Sequence, residues 1–259
     1  MTEDGVRRDG IKTGDVVVVT GGGGGFGRAF SRRFARGGAR VAVWDIDRKA
    51  GEDIVREIAV EGGEASFIEA DLASGADIEA SVARTLEVAG VPLYRQQCQH
   101  LSARERPRHD PAGLGAHLAG EHHGSLSDCA RLRAAMIAQQ RGVIINIASG
   151  RAVERAVNGA GYACSKAAIL SLTKSLALEW AKHNIRVNAI IPGVSLTAQR
   201  LDEGLSEEAL IERGRKTIPL GRIGYPEDMA GLAAFLASAD AAYMTGQGVA
   251  MNGGRVLLP

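Results

Sequence analysis

The chain is poor in cysteine, proline and aromatic residues: three Cys, seven Pro, two Trp, four Tyr and five Phe among 259 residues. Three cysteines without a paired spacing make no disulfide framework and suit a reducing cytoplasm. A dominant sign of charge is also missing. The 31 Lys and Arg nearly cancel the 30 Asp and Glu, for a net charge of +1, so there is no electrostatic case for a nucleic-acid or membrane-surface partner. No apolar run is long enough to cross a bilayer, and the N-terminus does not read as a signal peptide. Pro/Ser-rich linkers and repeats are lacking too. The length fits one large domain or two small ones; without a linker it reads as a single domain over 13–259. The polar residues 1–12 form a loose arm.

What the chain does have in quantity is glycine, and its placement is informative. Residues 15–20, Asp-Val-Val-Val-Val-Thr, are a β-branched run suited to a buried parallel strand. The run enters five consecutive glycines, and Phe30, Phe34 and Ala35 then begin a helical pattern. Gly21, Gly25, Phe26 and Gly27 fall in a T-G-x-x-x-G-x-G spacing. Glycines at a strand-to-helix turn let the backbone approach a pyrophosphate, whose charge is met by amides at the helix N-terminus. A flexible linker is excluded, because a linker does not join a buried strand to an amphipathic helix.

A second apolar run, Ala39 to Trp44, leads into Asp45, 18 residues after Gly27 (45 − 27). An acidic side chain at this distance binds the adenosine ribose hydroxyls and repels a 2′-phosphate, which selects NAD over NADP. The residue before Gly25 is Gly24, so no base there argues otherwise. Arg48 is assigned to solvent. Glu64 to Glu69 is a third strand, and Asp71-Leu72 after it is a candidate adenine-edge contact.

Tyr162 and Lys166 lie four residues apart, one turn of helix and one face, with Ser149 upstream. An ammonium beside a phenol favours the phenolate, which a general acid/base exchanging a proton with a carbonyl oxygen needs. A serine hydroxyl in the same pocket can hold that oxygen. The catalytic candidates are therefore Ser149, Tyr162 and Lys166.

These motifs together resemble the short-chain dehydrogenase/reductase family over nearly the whole chain. The glycine motif, Asp71-Leu72, the Ser149/Tyr162/Lys166 set with its gap of 13 residues (162 − 149), and "RVNAIIPG" at 186–193 occur in the family's order. The resemblance implies a doubly wound (Rossmann) α/β fold with a seven-stranded parallel sheet. It makes Tyr162 the acid/base, gives Lys166 the nicotinamide ribose as well as the tyrosine, and puts the substrate oxygen on Ser149. Pro192, Gly193, Val194 and Thr197 look like the turn that seats the nicotinamide carboxamide. It further implies hydride transfer between NAD(H) and a secondary alcohol or ketone, such as a polyol, hydroxyacyl or cyclic alcohol. The alternatives are an NADH-dependent 3-oxoacyl-type reductase and a non-catalytic dinucleotide-binding protein. A homo-oligomer, dimer or tetramer, is expected from the resemblance alone.

The pattern breaks between residues about 91 and 130. The family carries there a strand ending in Asn-Asn-Ala-Gly, then a Trp, then a helix whose Asn completes the catalytic set. This chain instead has five of its six His and two of its three Cys in that stretch. The genetic code accounts for the difference. Written TAT-CGT-CAA-CAA-TGC-CAG-CAT and shifted by one base, "YRQQCQH" becomes Ile-Val-Asn-Asn-Ala-Ser. The same offset turns "GLG" at 113–115 into Asp-Trp-Glu and "GEHHGSL" at 120–126 into Val-Asn-Ile-Thr-Gly-Val-Phe. The segment is therefore read as an out-of-frame translation bracketed by two compensating single-base changes.

The family's spacing to Ser149, 27 residues, puts its Asn at 122 (149 − 27), where His122 stands. His122 is given no catalytic role. Cys98, His100, His122 and His123 lack a zinc-type spacing and are not taken as a metal site. Elsewhere, the polar loop 150–161 with Arg151, Glu154, Arg155 and Asn158 leans towards a polar substrate. In the resembled family the region of the charged, helical stretch 198–217 is the substrate lid; its charges are read as a solvated face, and Cys164 as a small packing residue.

Overall fold

Two β-branched runs set the centre of the molecule. The computed structural model describes residues 13–92, 94–97, 132–154, 160–197 and 206–257. In chain order they form β1 (Val16–Thr20), α1 (Gly25–Arg36), β2 (Arg40–Asp45), α2 (Arg48–Val60), β3 (Glu64–Glu69), α3 (Gly75–Val88), β4 (Tyr94–Gln97) and α4 (132–138). There follow β5 (Gly142–Ile147), α5 (Ala160–Trp180), β6 (Ile185–Pro192), α6 (Glu207–Thr217), α7 (Pro226–Ala237) and β7 (Gly248–Met251). The expected arm at 1–12 lies outside the described residues, as do His122 and the Cys98, His100 and His123 group.

The strands pair in the order β3-β2-β1-β4-β5-β6-β7, each pair parallel. Parallel neighbours require crossovers, and the helices supplying them cover both faces, which is the doubly wound α/β arrangement. Both faces of β1 are consequently apolar: Val17, Val18 and Val19 are all fully buried. On the front, Val17, Val19, Val41, Val43 and Ile145 pack with Phe30 and Phe34 of α1, Ile54 and Ile58 of α2, and Met229 and Leu236 of α7 in one core. The back is divided. Val18, Trp44, Ile68 and Val82 form one cluster with Leu132, while Ile144, Leu176, Trp180 and Val187 form another with Met136. Leu132 and Met136, one turn apart on α4, serve the two back clusters in turn.

Local chemistry sets the element ends. Asp47, Ser74 and Ser206 cap α2, α3 and α6 by accepting from the backbone N–H three residues on. At α7, Asp228 accepts from the Tyr225 N–H at 2.8 Å. The Arg222 guanidinium grips the same carboxylate with both nitrogens and holds its pKa below the ordinary value. Two expected boundaries shift. The second strand covers Arg40–Asp45 rather than Ala39–Trp44, because Asp45 still pairs with Glu69 of β3. Helix in the charged stretch 198–217 is described only from Glu207, and 198–205 lie outside the described residues.

Candidate active site

A parallel sheet has all its carboxyl ends on one edge, and that geometry gathers motifs scattered through the sequence. The glycine loop follows β1, Asp45 ends β2, Asp71-Leu72 follows β3, Ser149 follows β5 and Pro192 ends β6. The order reverses between β1 and β4, the position where such folds open a ligand crevice.

The glycine loop is held tightly. The Gly22 N–H donates to the Trp44 carbonyl at 3.2 Å, and the Gly23 N–H to Asp45 Oδ2 at 2.9 Å. A Cβ on Gly27 would stand 2.0 Å from the Gly21 carbonyl oxygen, so α1 crosses the loop backbone at a distance only glycine allows. Gly24, by contrast, has open space on its Cβ side, and the first turn of α1 carries no acidic residue. A close-packed loop with one open side and an uncontested helix N-terminus fits the pyrophosphate of a dinucleotide. Gly27→Ala should therefore cost about 1–3 kcal/mol of stability, as overpacking does, and weaken dinucleotide binding at least tenfold. Urea unfolding alongside calorimetric titration with NADH checks both effects.

At the end of β2, Asp45 is half-buried and its Oδ1 accepts from the Asp47 N–H at 3.0 Å. Each carboxylate oxygen keeps a free lone pair for a ribose hydroxyl. Arg48 lies on the surface as expected, but it is not merely solvated: it pairs with Glu69 and, at 3.8 Å, with Glu52. Asp71 turns its Oδ1 onto the Ala73 N–H at 2.8 Å, and Leu72 packs on the back core.

At the other end, α5 brings Lys166 over the ring of Tyr162, with Nζ 5.6 Å from the ring centroid. Lys166 is buried, and its Nζ donates to the Ile147 carbonyl at 3.4 Å. Two residues beyond Ile147, Ser149 caps a short 3-10 turn over Gly150–Ala152. Lys166 thereby ties the tyrosine helix to the strand end that carries the serine. The neighbouring turn is fixed by the Gly193 N–H donating to the Met251 carbonyl at 3.0 Å. A Cβ at Gly193 would meet Asn252 at 2.7 Å. Val194 packs on Leu210, Ile218 and Ile223, and Thr197 is half-buried.

Cys164 corrects an expectation: it is exposed, because the face of α5 that carries Ser165, Lys166 and Ile169 inward turns residue 164 out. In the loop 150–161, Arg155 and Asn158 lie outside the described residues. The sequence reading missed Asn188. Its side chain donates to the Met244 carbonyl at 2.8 Å and accepts from the Gln247 N–H at 3.0 Å, latching the chain that leads into β7. Among the described residues no helix is long and apolar enough to cross a membrane.

Comparison with known proteins agrees with this arrangement. The short chain dehydrogenase family model matches residues 15–91, and the enoyl-(acyl carrier protein) reductase model matches 121–255. The 3-oxoacyl-(acyl-carrier-protein) reductase of Chlamydia pneumoniae is 33% identical over 251 residues, covering 93% of this chain and 96% of that protein. The 3beta-hydroxysteroid dehydrogenase 1 of Eggerthella lenta is 34% identical over 249 residues, covering 95% of each. Among solved structures, a putative gluconate dehydrogenase from Agrobacterium tumefaciens superposes with a TM-score of 0.86 at 26% identity, over 94% of this chain and 97% of that one. The chain belongs to the short-chain dehydrogenase/reductase family. It is an oxidoreductase of the hydroxyl/carbonyl couple, a class that uses a nicotinamide dinucleotide.

Proposed function

We propose that the chain transfers a hydride between NAD(H) and a secondary alcohol/ketone pair, with a polyol, hydroxyacyl or cyclic alcohol as substrate. The observation that carries this reading is the buried Lys166 ammonium over the Tyr162 ring, tied to the end of β5. The bound nicotinamide supplies or accepts the hydride. Tyr162 Oη exchanges the proton with the substrate oxygen, and the ammonium beside it stabilises the negative charge that develops there. The Ser149 hydroxyl donates to the same oxygen and fixes its position. Gly21, Gly25, Phe26 and Gly27 form the pyrophosphate cradle, Asp71-Leu72 border the adenine, and Pro192, Gly193, Val194 and Thr197 hold the carboxamide.

The preference for NAD rests on Asp45, and the engagement of Arg48 with Glu69 and Glu52 supports it by removing the nearby cation. Asp45→Ser should raise KM for NAD at least tenfold and narrow the gap to NADP. Initial rates with both cofactors check this, and an unchanged KM for NAD would remove Asp45 from the site. The reductase alternative has its counterpart in the Chlamydia relative, a 3-oxoacyl-(acyl-carrier-protein) reductase. NAD with a panel of polyols, hydroxyacyl esters and cyclic alcohols, set beside NADH with 3-oxoacyl thioesters, separates the two. Turnover confined to the thioesters overturns the dehydrogenase reading. A homo-oligomer is part of the proposal, and the exposed Phe235 of α7 and Tyr243 beyond it favour it.

Residues 91–130 are, on the same proposal, translated one base out of frame. The family models stop at 91 and resume at 121. The register of β4 adds a physical reason. It sets Tyr94, Arg95, Gln96 and Gln97 opposite Val17 to Thr20 on one side and Val143 to Asn146 on the other. The offset frame writes Ile-Val-Asn-Asn at those four positions, which suits a strand between two buried ones.

A further inference from the structure

Outside the assigned site, one side chain holds the glycine loop from behind. Resting on the proposed dinucleotide site, we infer that Arg28 is a positioning residue for that site. It acts through Gly23 on the orientation of Asp45.

Gly23 is gripped on both sides of its Cα. Its N–H donates to Asp45 Oδ2 at 2.9 Å, and its carbonyl accepts from Arg28 Nη1 at 3.2 Å. The other guanidinium nitrogen of Arg28 pairs with Glu57 of α2. A continuous polar chain thus runs Asp45, Gly23, Arg28, Glu57, from the end of β2 through the loop to the α1–α2 contact. The loop needs such a grip. Residues 21–25 are all glycine, and a glycine loses more conformational freedom on ordering than any other residue. Gly23 cannot gain rigidity from a side chain, since a Cβ there would meet the backbone of Ala50 at 2.8 Å and of Gly51 at 2.9 Å. The polar bonds to its two flanking peptide groups fix it instead. Arg28 has the fork needed to reach a carbonyl and a carboxylate at once; lysine does not.

The same pair of helices supplies an internal control. Arg32 and Arg36 pair with Glu61 along the same α1–α2 seam. Neither ion pair involves the loop.

The test compares Arg28→Met, Arg28→Lys and Arg32→Met by calorimetric titration with NADH and with ADP-ribose. ADP-ribose carries the adenosine end and the pyrophosphate but no nicotinamide. Arg28→Met should raise Kd for both ligands about tenfold, the loss of one charge-assisted hydrogen bond, and leave kcat at saturating NAD within twofold. Arg28→Lys should recover only part of the loss. Arg32→Met should leave both Kd values unchanged. Equal weakening by Arg28→Met and Arg32→Met would reduce Arg28 to helix packing and overturn the inference, as would an unaltered Kd for ADP-ribose in Arg28→Met. A wild-type protein that binds neither ligand would bring down the dinucleotide reading together with this one.

Discussion

Tyr162→Phe, made in the chain with residues 91–130 in the offset frame, should lower kcat about a thousandfold while leaving Kd for NADH within twofold. The substitution removes one oxygen and keeps the ring under Lys166, so the Nζ-to-ring arrangement at 5.6 Å and the packing of α5 persist. Only the proton-transfer group is lost, and general acid–base catalysis contributes roughly 10²–10⁴ in rate. The hydride donor and the Ser149 hydroxyl remain, so a residual rate above background is expected. Steady-state rates with the best substrate of the panel, beside a binding titration, give the two numbers. A variant with full activity would end the tyrosine mechanism. A variant that lost cofactor binding as well would mean that the phenol serves the site's architecture and not its chemistry.

Re-encoding residues 91–130 in the offset frame should stabilise the protein by several kcal/mol and raise its dehydrogenase activity from little or none. The four β4 positions lie between strands whose residues are at most 1% exposed at Val17, Val18, Val19, Ile144 and Ile145. A glutamine amide buried without a partner on such a strand would cost about 1–3 kcal/mol on mutational scales, and an unpaired arginine charge more. Their sum is comparable with the 5–15 kcal/mol that holds a typical domain together. Urea unfolding of the two forms measures the difference, and peptide masses over 85–142 from the native host decide which form the cell makes. Masses matching "YRQQCQH", or equal stability of the two chains, would reject the frame offset.

The parts of the fold legible beforehand were those with a local signature. The β-branched run before the glycines, the run ending in Asp45 and the stretch Glu64–Glu69 each carry their strand in consecutive residues, and the helical spacing of Tyr162 and Lys166 survives directly in α5. The misjudged or missed features depend on where a helix face points or on partners distant in sequence. Cys164 sits inside a recognisable motif, yet its exposure follows from how α5 rotates against the sheet. The Asn188 latch joins residues 56 and 59 positions apart, and Asp45 meets Gly23 across 22. No local pattern encodes such pairs; they exist only once the strands are in order.

The split back core and the continuous front core have a consequence for how this molecule assembles. The N-terminal βα units and the C-terminal ones each bring a finished back cluster, bridged by Leu132 and Met136, whereas the front joins Phe30 and Phe34 directly to Met229 and Leu236. Recognition between the two halves is thus written into the α1–α7 seam as well as into the β1–β4–β5 pairing. Both contacts are non-covalent, which makes this architecture a natural candidate for reassembly from two separately made polypeptides.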